Sequence, residues 1–277
     1  MQNTRKIYFI VPTINSEKFI INFKEYHERF GLNLFFFVDK KTTDKTYEIL
    51  KDHNSKVYYW DNKYKYAEGS IYEIYKKFPN KFIFRIDDDE ALSPGLINYL
   101  NKINLNENYL YGFKKYEILK INNKIKVNGP YNFFQKIYTE YLRFFSFNTE
   151  TREFINQTRS NGNTHTIYRL FFNSNKFFSN KIHTPGLDLK KNNLKKLNQK
   201  NCYIAHLMNL VSSYSERLSK IYNYELENKN SGNKWKFLYI PEEYFVKFSK
   251  NNFFNTGFLN LENYTLKKYC ESLINFN

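Results

Sequence analysis

Four short, continuous apolar runs divide the first part of the chain: Ile7 to Val11, Leu32 to Val38, Val57 to Trp60 and Phe82 to Ile86. Each is rich in β-branched or aromatic residues and ends in polar, turn-prone positions, the pattern of strands buried on both faces of a parallel sheet. Between the first two, Phe19, Ile20, Phe23, His27 and Phe30 recur at steps of three and four, with Asn15 or Ser16 placed as N-cap and Gly31 as the stop. Ile71, Ile74, Tyr75 and Phe78 mark a second helix before Pro79. Ser93-Pro94 pairs an N-cap with proline at the first helical position and opens a third through Leu96, Ile97 and Leu100. With the helix through Ile49 and Leu50 between the second and third runs, the order βαβαβαβα predicts an α/β fold.

From about Asn122 to Asn163 the pattern loosens into aromatic and basic residues, with Tyr131, Phe134, Ile137, Tyr138, Tyr141, Leu142 and Phe145 at helical spacing. A strand is expected at Thr166 to Phe172 and a shorter one at Cys202 to Ala205, separated by a turn-rich stretch through His183 and Pro185. Lys190 to Lys200 reads as a basic, asparagine-rich loop, and the polar C-terminus containing Tyr214 to Tyr224 reads as helical. The expected organisation is one domain over 1–210, split into halves 1–105 and 106–210, with a helical extension over 211–277.

Charge narrows the partners by sign. With 43 Lys and Arg against 27 Asp and Glu, the formal charge of +16 favours phosphorylated ligands, anionic membrane surfaces or nucleic acid. Cys202 and Cys270 lack metal-ligand spacing and are too few for a disulfide framework, which points to free thiols and a cytoplasmic setting. After Arg5 and Lys6 the first apolar run is far shorter than a signal-peptide core, and no later stretch approaches the roughly 20 apolar residues of a spanning helix. Membrane contact is therefore expected to be peripheral, at the inner face.

Asp87, Asp88, Asp89 and Glu90 follow directly on the fourth apolar run, so four like charges gather where ligands collect in open α/β sheets. Mg²⁺ or Mn²⁺ takes one or two protein carboxylates plus substrate phosphates, which suits a nucleotide-diphosphate sugar. On an extended segment Asp87 and Asp89 share a face and Asp88 turns away. Asp89 is then the direct metal ligand and Asp87 a contact to ribose or metal-bound water, the other reading being a solvated acidic turn.

Ile10-Val11-Pro12-Thr13-Ile14-Asn15, then Val38-Asp39 with Thr43-Asp44-Lys45-Thr46, then Arg85-Ile86-Asp87-Asp88-Asp89 together resemble the successive signatures of glycosyltransferase family 2 enzymes. The resemblance implies a GT-A fold, Rossmann-like, with a mixed, mainly parallel sheet, flanking helices and a helical C-terminal region. It implies that Thr13 and Asp39 contact the nucleotide base or ribose, that Pro12 shapes the loop, that Asp44 orders the next turn, and that Asn15 and Asp88 border the nucleotide. Thr13 and Asn15 serve equally as loop and cap residues, and Thr43 or Asp44 as caps of the helix through Ile49 and Leu50.

In the second half, Arg169-Leu170-Phe171-Phe172-Asn173 followed by Lys181-Ile182-His183-Thr184 resembles the acceptor-side segment of the same family, where a histidine-glutamate pair follows an arginine-led strand. Here Thr184 stands in place of the glutamate. A base must reach the attacking hydroxyl, and His183 or Asp188 is the candidate; His183 is equally a turn histidine bonded to backbone. His206 follows the apolar run Tyr203 to Ala205, and the resemblance implies that it completes the metal shell, the alternative being a satisfied core histidine. The helix around Tyr131 to Phe147, carrying Lys136 and Arg143, is a core helix or a membrane-docking face, and with the loop near Lys195 it is where anionic lipid would bind.

The expected function is transfer of a sugar from a nucleotide-diphosphate donor to a glycan or lipid-linked hydroxyl, with inversion, in surface polysaccharide synthesis. A sugar-nucleotide nucleotidyltransferase is the first rival, although no glycine-rich loop follows the first strand. The second is a basic nucleic-acid-binding protein, which the aromatic content allows but no recognisable motif supports.

Overall fold

The computed structural model of the chain describes residues 6–62, 71–121, 124–128, 166–174, 176–178, 186–197, 199, 201–211, 258–260 and 264–274. The four apolar runs form strands β1 (Ile7–Thr13), β2 (Leu34–Asp39), β3 (Val57–Trp60) and β4 (Phe82–Arg85). These pair in parallel in the order β3-β2-β1-β4. Side chains of β1 and β2 are buried on both faces, as their unbroken apolar runs require.

Beyond β4 the sheet turns mixed. Strand β5 (Glu90–Leu92) follows the acidic run at once, and the long β6 (Tyr109–Ile121) pairs antiparallel with β7 (Lys124–Asn128) and β8 (Thr166–Phe172). Strand β8 is the antiparallel bridge between β4 and β6. Strands β9 (Asn193–Leu197) and β10 (Tyr203–His206) run parallel to β6, β10 also pairing antiparallel with β5, and β11 (Phe258–Asn260) pairs with β7. The fold is α/β with a mixed sheet.

Helix α1 (Ile20–Glu28) ends with Gly31 at φ 74°, where the Gly31 amide donates to the Glu28 carbonyl at 2.8 Å. Helix α2 (Thr46–Asp52) and the short α3 (Tyr72–Tyr75) follow. In α4 (Pro94–Lys102) the Ser93 hydroxyl accepts the Leu96 amide at 3.2 Å, as the Ser-Pro pair predicts. Helix α5 (Met208–Val211) is one turn long, and α6 (Tyr264–Ile274) packs on α1 through stacked rings of Tyr26 and Tyr269.

Two expectations need correction. The stretch Lys190 to Lys200 is not all loop, because Asn193–Leu197 adds an edge strand whose lysines face water, a common protection of an exposed edge. Strand β5 intervenes between β4 and α4 because its three residues are all buried against β10. The expected helices over Tyr131 to Phe147 and Tyr214 to Tyr224 lie outside the described residues.

Candidate functional site

Strands β1, β2 and β4 run parallel and end side by side, which brings Thr13, Asp39 and the 87–90 turn to one edge of the sheet. Thr13 is in register with Val38, next to Asp39, and the Ile86 amide donates to the Ile10 carbonyl at 3.0 Å. The acidic residues do not continue the extended strand. The Glu90 amide donates back to the Asp87 carbonyl at 3.0 Å, closing a β-turn. The alternation that would put Asp87 and Asp89 on one face is thereby lost, and the three aspartates go three ways.

Asp87 turns into the protein. Its oxygens accept from Arg85 and, at 2.7 Å, from Arg169 on β8. Arg169 also reaches Glu90 Oε1 at 2.8 Å, and Lys115 on β6 lies 3.2 Å from the same oxygen. Glu90 is fully buried, and its other oxygen accepts the Asp87 amide at 3.1 Å. Burial alone would raise the Asp87 carboxyl, but the Arg169 and Arg85 guanidinium groups outweigh it and hold the carboxyl below the usual carboxylate range. Two of the four acidic charges are thus neutralised by the chain's own cations.

Asp88 turns towards β1, where its Oδ2 accepts from the hydroxyls of both Thr13 and Ser16. Those hydroxyls stand 2.9 Å apart. Ser16 is fixed in turn by its amide donating to Thr46 Oγ1 at 2.8 Å, and Asp44 accepts the amides of Thr46 and Glu17, each at 3.0 Å. Asp44 therefore orders the two loops beyond β1 and β2. Asn15 takes a left-handed conformation, φ 50°, and its side-chain carbonyl accepts the Thr43 amide at 2.8 Å. Neither Asn15 nor Ser16 caps α1 through its side chain; Phe19 occupies that position, with the Ser16 carbonyl accepting the Phe19 and Ile20 amides.

Asp89 turns towards β10. His206 Nε2 lies 3.4 Å from Asp89 Oδ2, and the Leu207 amide donates to the Asp89 carbonyl at 2.6 Å. Residue pairing of β5 with β10 sets His206 opposite Glu90, so two segments far apart in sequence meet at the turn. The side chains of Asp89 and His206 are both partly exposed.

Pro12 is the penultimate residue of β1, paired with Phe37, at a strand end where a missing amide is tolerated. Asp39 is buried. Burial raises its carboxyl, and the Lys41 amide, donating to Oδ1 at 3.0 Å, the Lys41 charge and the Asn62 side chain oppose that rise. Asp188 is partly exposed, and its described contacts are local: Oδ1 accepts the Lys190 amide at 3.0 Å and Oδ2 lies 3.9 Å from Lys191. His183 lies outside the described residues.

The fit to a divalent ion rests on Asp89 and His206. Among the described residues no group of three or more His, Cys, Asp or Glu side chains is arranged to hold a metal. The 3.4 Å between Asp89 and His206 is near the spacing of adjacent ligands on one ion, roughly 3 Å for bonds of about 2.1 Å. Two protein donors suffice for Mg²⁺ or Mn²⁺, which keep water and phosphate oxygens in their shells, and the imidazole favours Mn²⁺ of the two.

The sequence reading missed Glu90 as a buried partner, Ser16 as a donor to Asp88, and the cations Arg85, Arg169 and Lys115. A signal existed for the arginines: Arg85 and Arg169 interrupt apolar strands, and a charge inside a sheet requires a partner. No family model matches the sequence, and no curated protein matches it. Among solved structures, the inositol-1-phosphate CTP transferase from T. maritima is similar over 46% of this chain at 13% identity, with a TM-score of 0.31. The chain spans 65% of that protein's length, and a likeness of this size carries no argument about function.

Proposed function

We propose that the chain is a metal-dependent glycosyltransferase of the GT-A type, moving a sugar from a nucleotide-diphosphate donor to a hydroxyl of a glycan or lipid-linked acceptor. The observation that carries this reading is the meeting of Thr13, Asp39 and the 87–90 turn at the carboxyl ends of three parallel strands, with His206 set against Asp89. Ligands of open α/β sheets bind at that edge.

Each residue then has a distinct task. Asp89 and His206 are the residues that would hold Mn²⁺ or Mg²⁺, and a bound ion would supply Lewis-acid stabilisation of the departing diphosphate. Asp87 anchors the turn through Arg85 and Arg169, its carboxylate engaged by those two guanidinium groups. Asp88 locks the turn to the loop after β1, so that Thr13 and Asp39 face the same ligand. Asp39, beside Asn62 and the Lys41 amide, presents a carboxylate suited to ribose or base. For the base that accepts the acceptor's proton, His183 and Asp188 remain the candidates; Asp188 is engaged with its own loop. Among the described residues no helix is long and apolar enough to cross a membrane, and contact with anionic lipid would be peripheral.

Incubation with UDP-, GDP-, CDP- and CMP-sugars, with and without Mn²⁺, tests the reading. Slow, metal-dependent release of a nucleoside diphosphate from one donor is expected. Release of pyrophosphate from a nucleoside triphosphate and a sugar phosphate would instead identify a nucleotidyltransferase. Salt-sensitive binding to an oligonucleotide, with no nucleotide sugar turned over, would favour the nucleic-acid reading.

A further inference from the structure

The edge of the sheet opposite the acidic turn carries a surface that the proposed chemistry does not use. Strand β8 leaves the sheet beside the start of β4, where the Asn173 amide donates to the Lys81 carbonyl at 2.8 Å and the Asn80 amide to the Asn173 carbonyl at 3.0 Å. Phe177 and Phe178 follow, tied to the stretch that leads into β9. The Asp188 amide donates to the Phe177 carbonyl at 2.8 Å. The Asn192 side chain donates to the same carbonyl at 3.0 Å and accepts the Phe177 amide at 3.4 Å, and Phe178 bridges to Leu187. Strand β9 begins opposite Tyr109, the first residue of β6, at this same edge.

On that fixed backbone Phe177 is 54% exposed, Phe178 38%, and Leu194, the second residue of β9, 42%. A single exposed apolar residue is ordinary, but three gathered on one hydrogen-bonded loop and the strand it enters make a patch, and a patch rimmed by charge marks an interaction surface. The rim here is basic. From Asp188 to Leu197 the chain has Lys190, Lys191, Lys195 and Lys196, all exposed, against Asp188 alone. Asp188 lies 3.9 Å from Lys191 and offsets only one of the four charges.

We propose that Phe177, Phe178 and Leu194, with these lysines, dock the protein on the surface of an anionic lipid bilayer. The apolar side chains enter the boundary between headgroups and acyl chains while the lysines meet the anionic headgroups, and either signal alone binds weakly. A nucleic acid would use the same charges but needs free ring faces on which to stack its bases. Phe178 sets its ring against Tyr72 and Tyr75, with centroids 6.0 and 6.5 Å away, and Leu194 has no ring. The patch and the acidic turn lie at opposite ends of the parallel strands, about 20 Å apart for a strand of seven residues, so a docked protein leaves the turn open to water. The inference is independent of what the turn binds.

Flotation of the full chain with vesicles of phosphatidylcholine alone, and of phosphatidylcholine and phosphatidylglycerol in equal parts, tests it without nucleotide or metal. Binding is expected on the anionic vesicles only, weakening as salt is added. Lys190→Gln combined with Lys191→Gln should weaken it about thirtyfold, roughly fivefold for each charge. Phe177→Ser should weaken it about tenfold, and Phe177→Trp should bind like the wild type. All of these variants should unfold at the wild-type temperature, because the side chains replaced are exposed. Lys40→Gln combined with Lys45→Gln, the same loss of charge at the carboxyl edge, should leave binding nearly unchanged. Equal losses in the two lysine pairs would reduce the binding to net charge and overturn the docking surface, as would wild-type binding by Phe177→Ser or no preference for anionic vesicles. Binding of an oligonucleotide that depends on Lys190 and Lys191, with neither vesicle bound, would overturn it in favour of a nucleic-acid surface.

Discussion

Arg169 Nη2 stands 2.7 Å from Asp87 Oδ2, and the same nitrogen lies 2.8 Å from Glu90. One guanidinium on β8 therefore holds both ends of the turn that carries the acidic run. Replacing Arg169 with Met keeps the bulk but leaves Glu90, which is fully buried, short of a cation. Removing one member of a buried ionic cluster typically costs about 3–5 kcal/mol. Urea denaturation at neutral pH is expected to show a loss of that size, and a loss under about 1 kcal/mol would mean the cluster does not hold the turn.

Thr13 and Asp88 join the end of β1 to the turn after β4, with Ser16 completing the contact. Thr13→Val preserves shape in a buried position and removes one donor to a carboxylate, so stability should fall by about 1.5–3 kcal/mol. In a double-mutant cycle with Asp88→Asn the two losses should be less than additive, because both act on one hydrogen bond. Strict additivity would separate Thr13 from Asp88.

His27 gives the fold a pH dependence of definite sign. It is fully buried, its Nδ1 lies 2.8 Å from the Phe23 carbonyl, and its Nε2 accepts the Leu92 amide at 3.3 Å, an arrangement that requires the neutral ring. Burial lowers its pKa to about 3, against the Phe23 carbonyl, which raises it. Below the unfolded value of about 6.5 the unfolded chain binds a proton that the folded chain refuses, so stability falls as pH falls from about 6.5 towards 3. The slope approaches about 1.4 kcal/mol per pH unit. His27→Gln, less stable at pH 7, should show a flatter stability curve between pH 6.5 and 4 in chemical denaturation; an unchanged slope would contradict the assignment.

The parallel half of the fold was legible because β1, β2 and β4 are buried on both faces and so appear as unbroken apolar runs. Ser93-Pro94 announced α4 through local chemistry that tertiary packing did not override. Strand β5 has three residues, and β9 sets two adjacent lysines between its leucines, so neither leaves a hydrophobic period to read. At the site, the acidic run marked the right sheet edge, but its directions were not readable: a turn closed by Glu90 on Asp87 replaced the extended geometry on which alternation depends. The cations Arg169 and Lys115 come from distant strands, so their approach is a product of topology alone.

The proposed function turns on Asp89 and His206 as an ion-holding pair for a nucleotide diphosphate. Thermal unfolding of the wild type, Asp89→Ala and His206→Ala, each with Mn²⁺ and UDP, GDP or CDP, addresses it most directly. A metal-dependent rise in unfolding temperature is expected for one nucleotide in the wild type, absent in Asp89→Ala and reduced in His206→Ala, with all three proteins folded alike without ligand. An equal rise in Asp89→Ala, or stabilisation by the nucleotide that is indifferent to Mn²⁺, would contradict it.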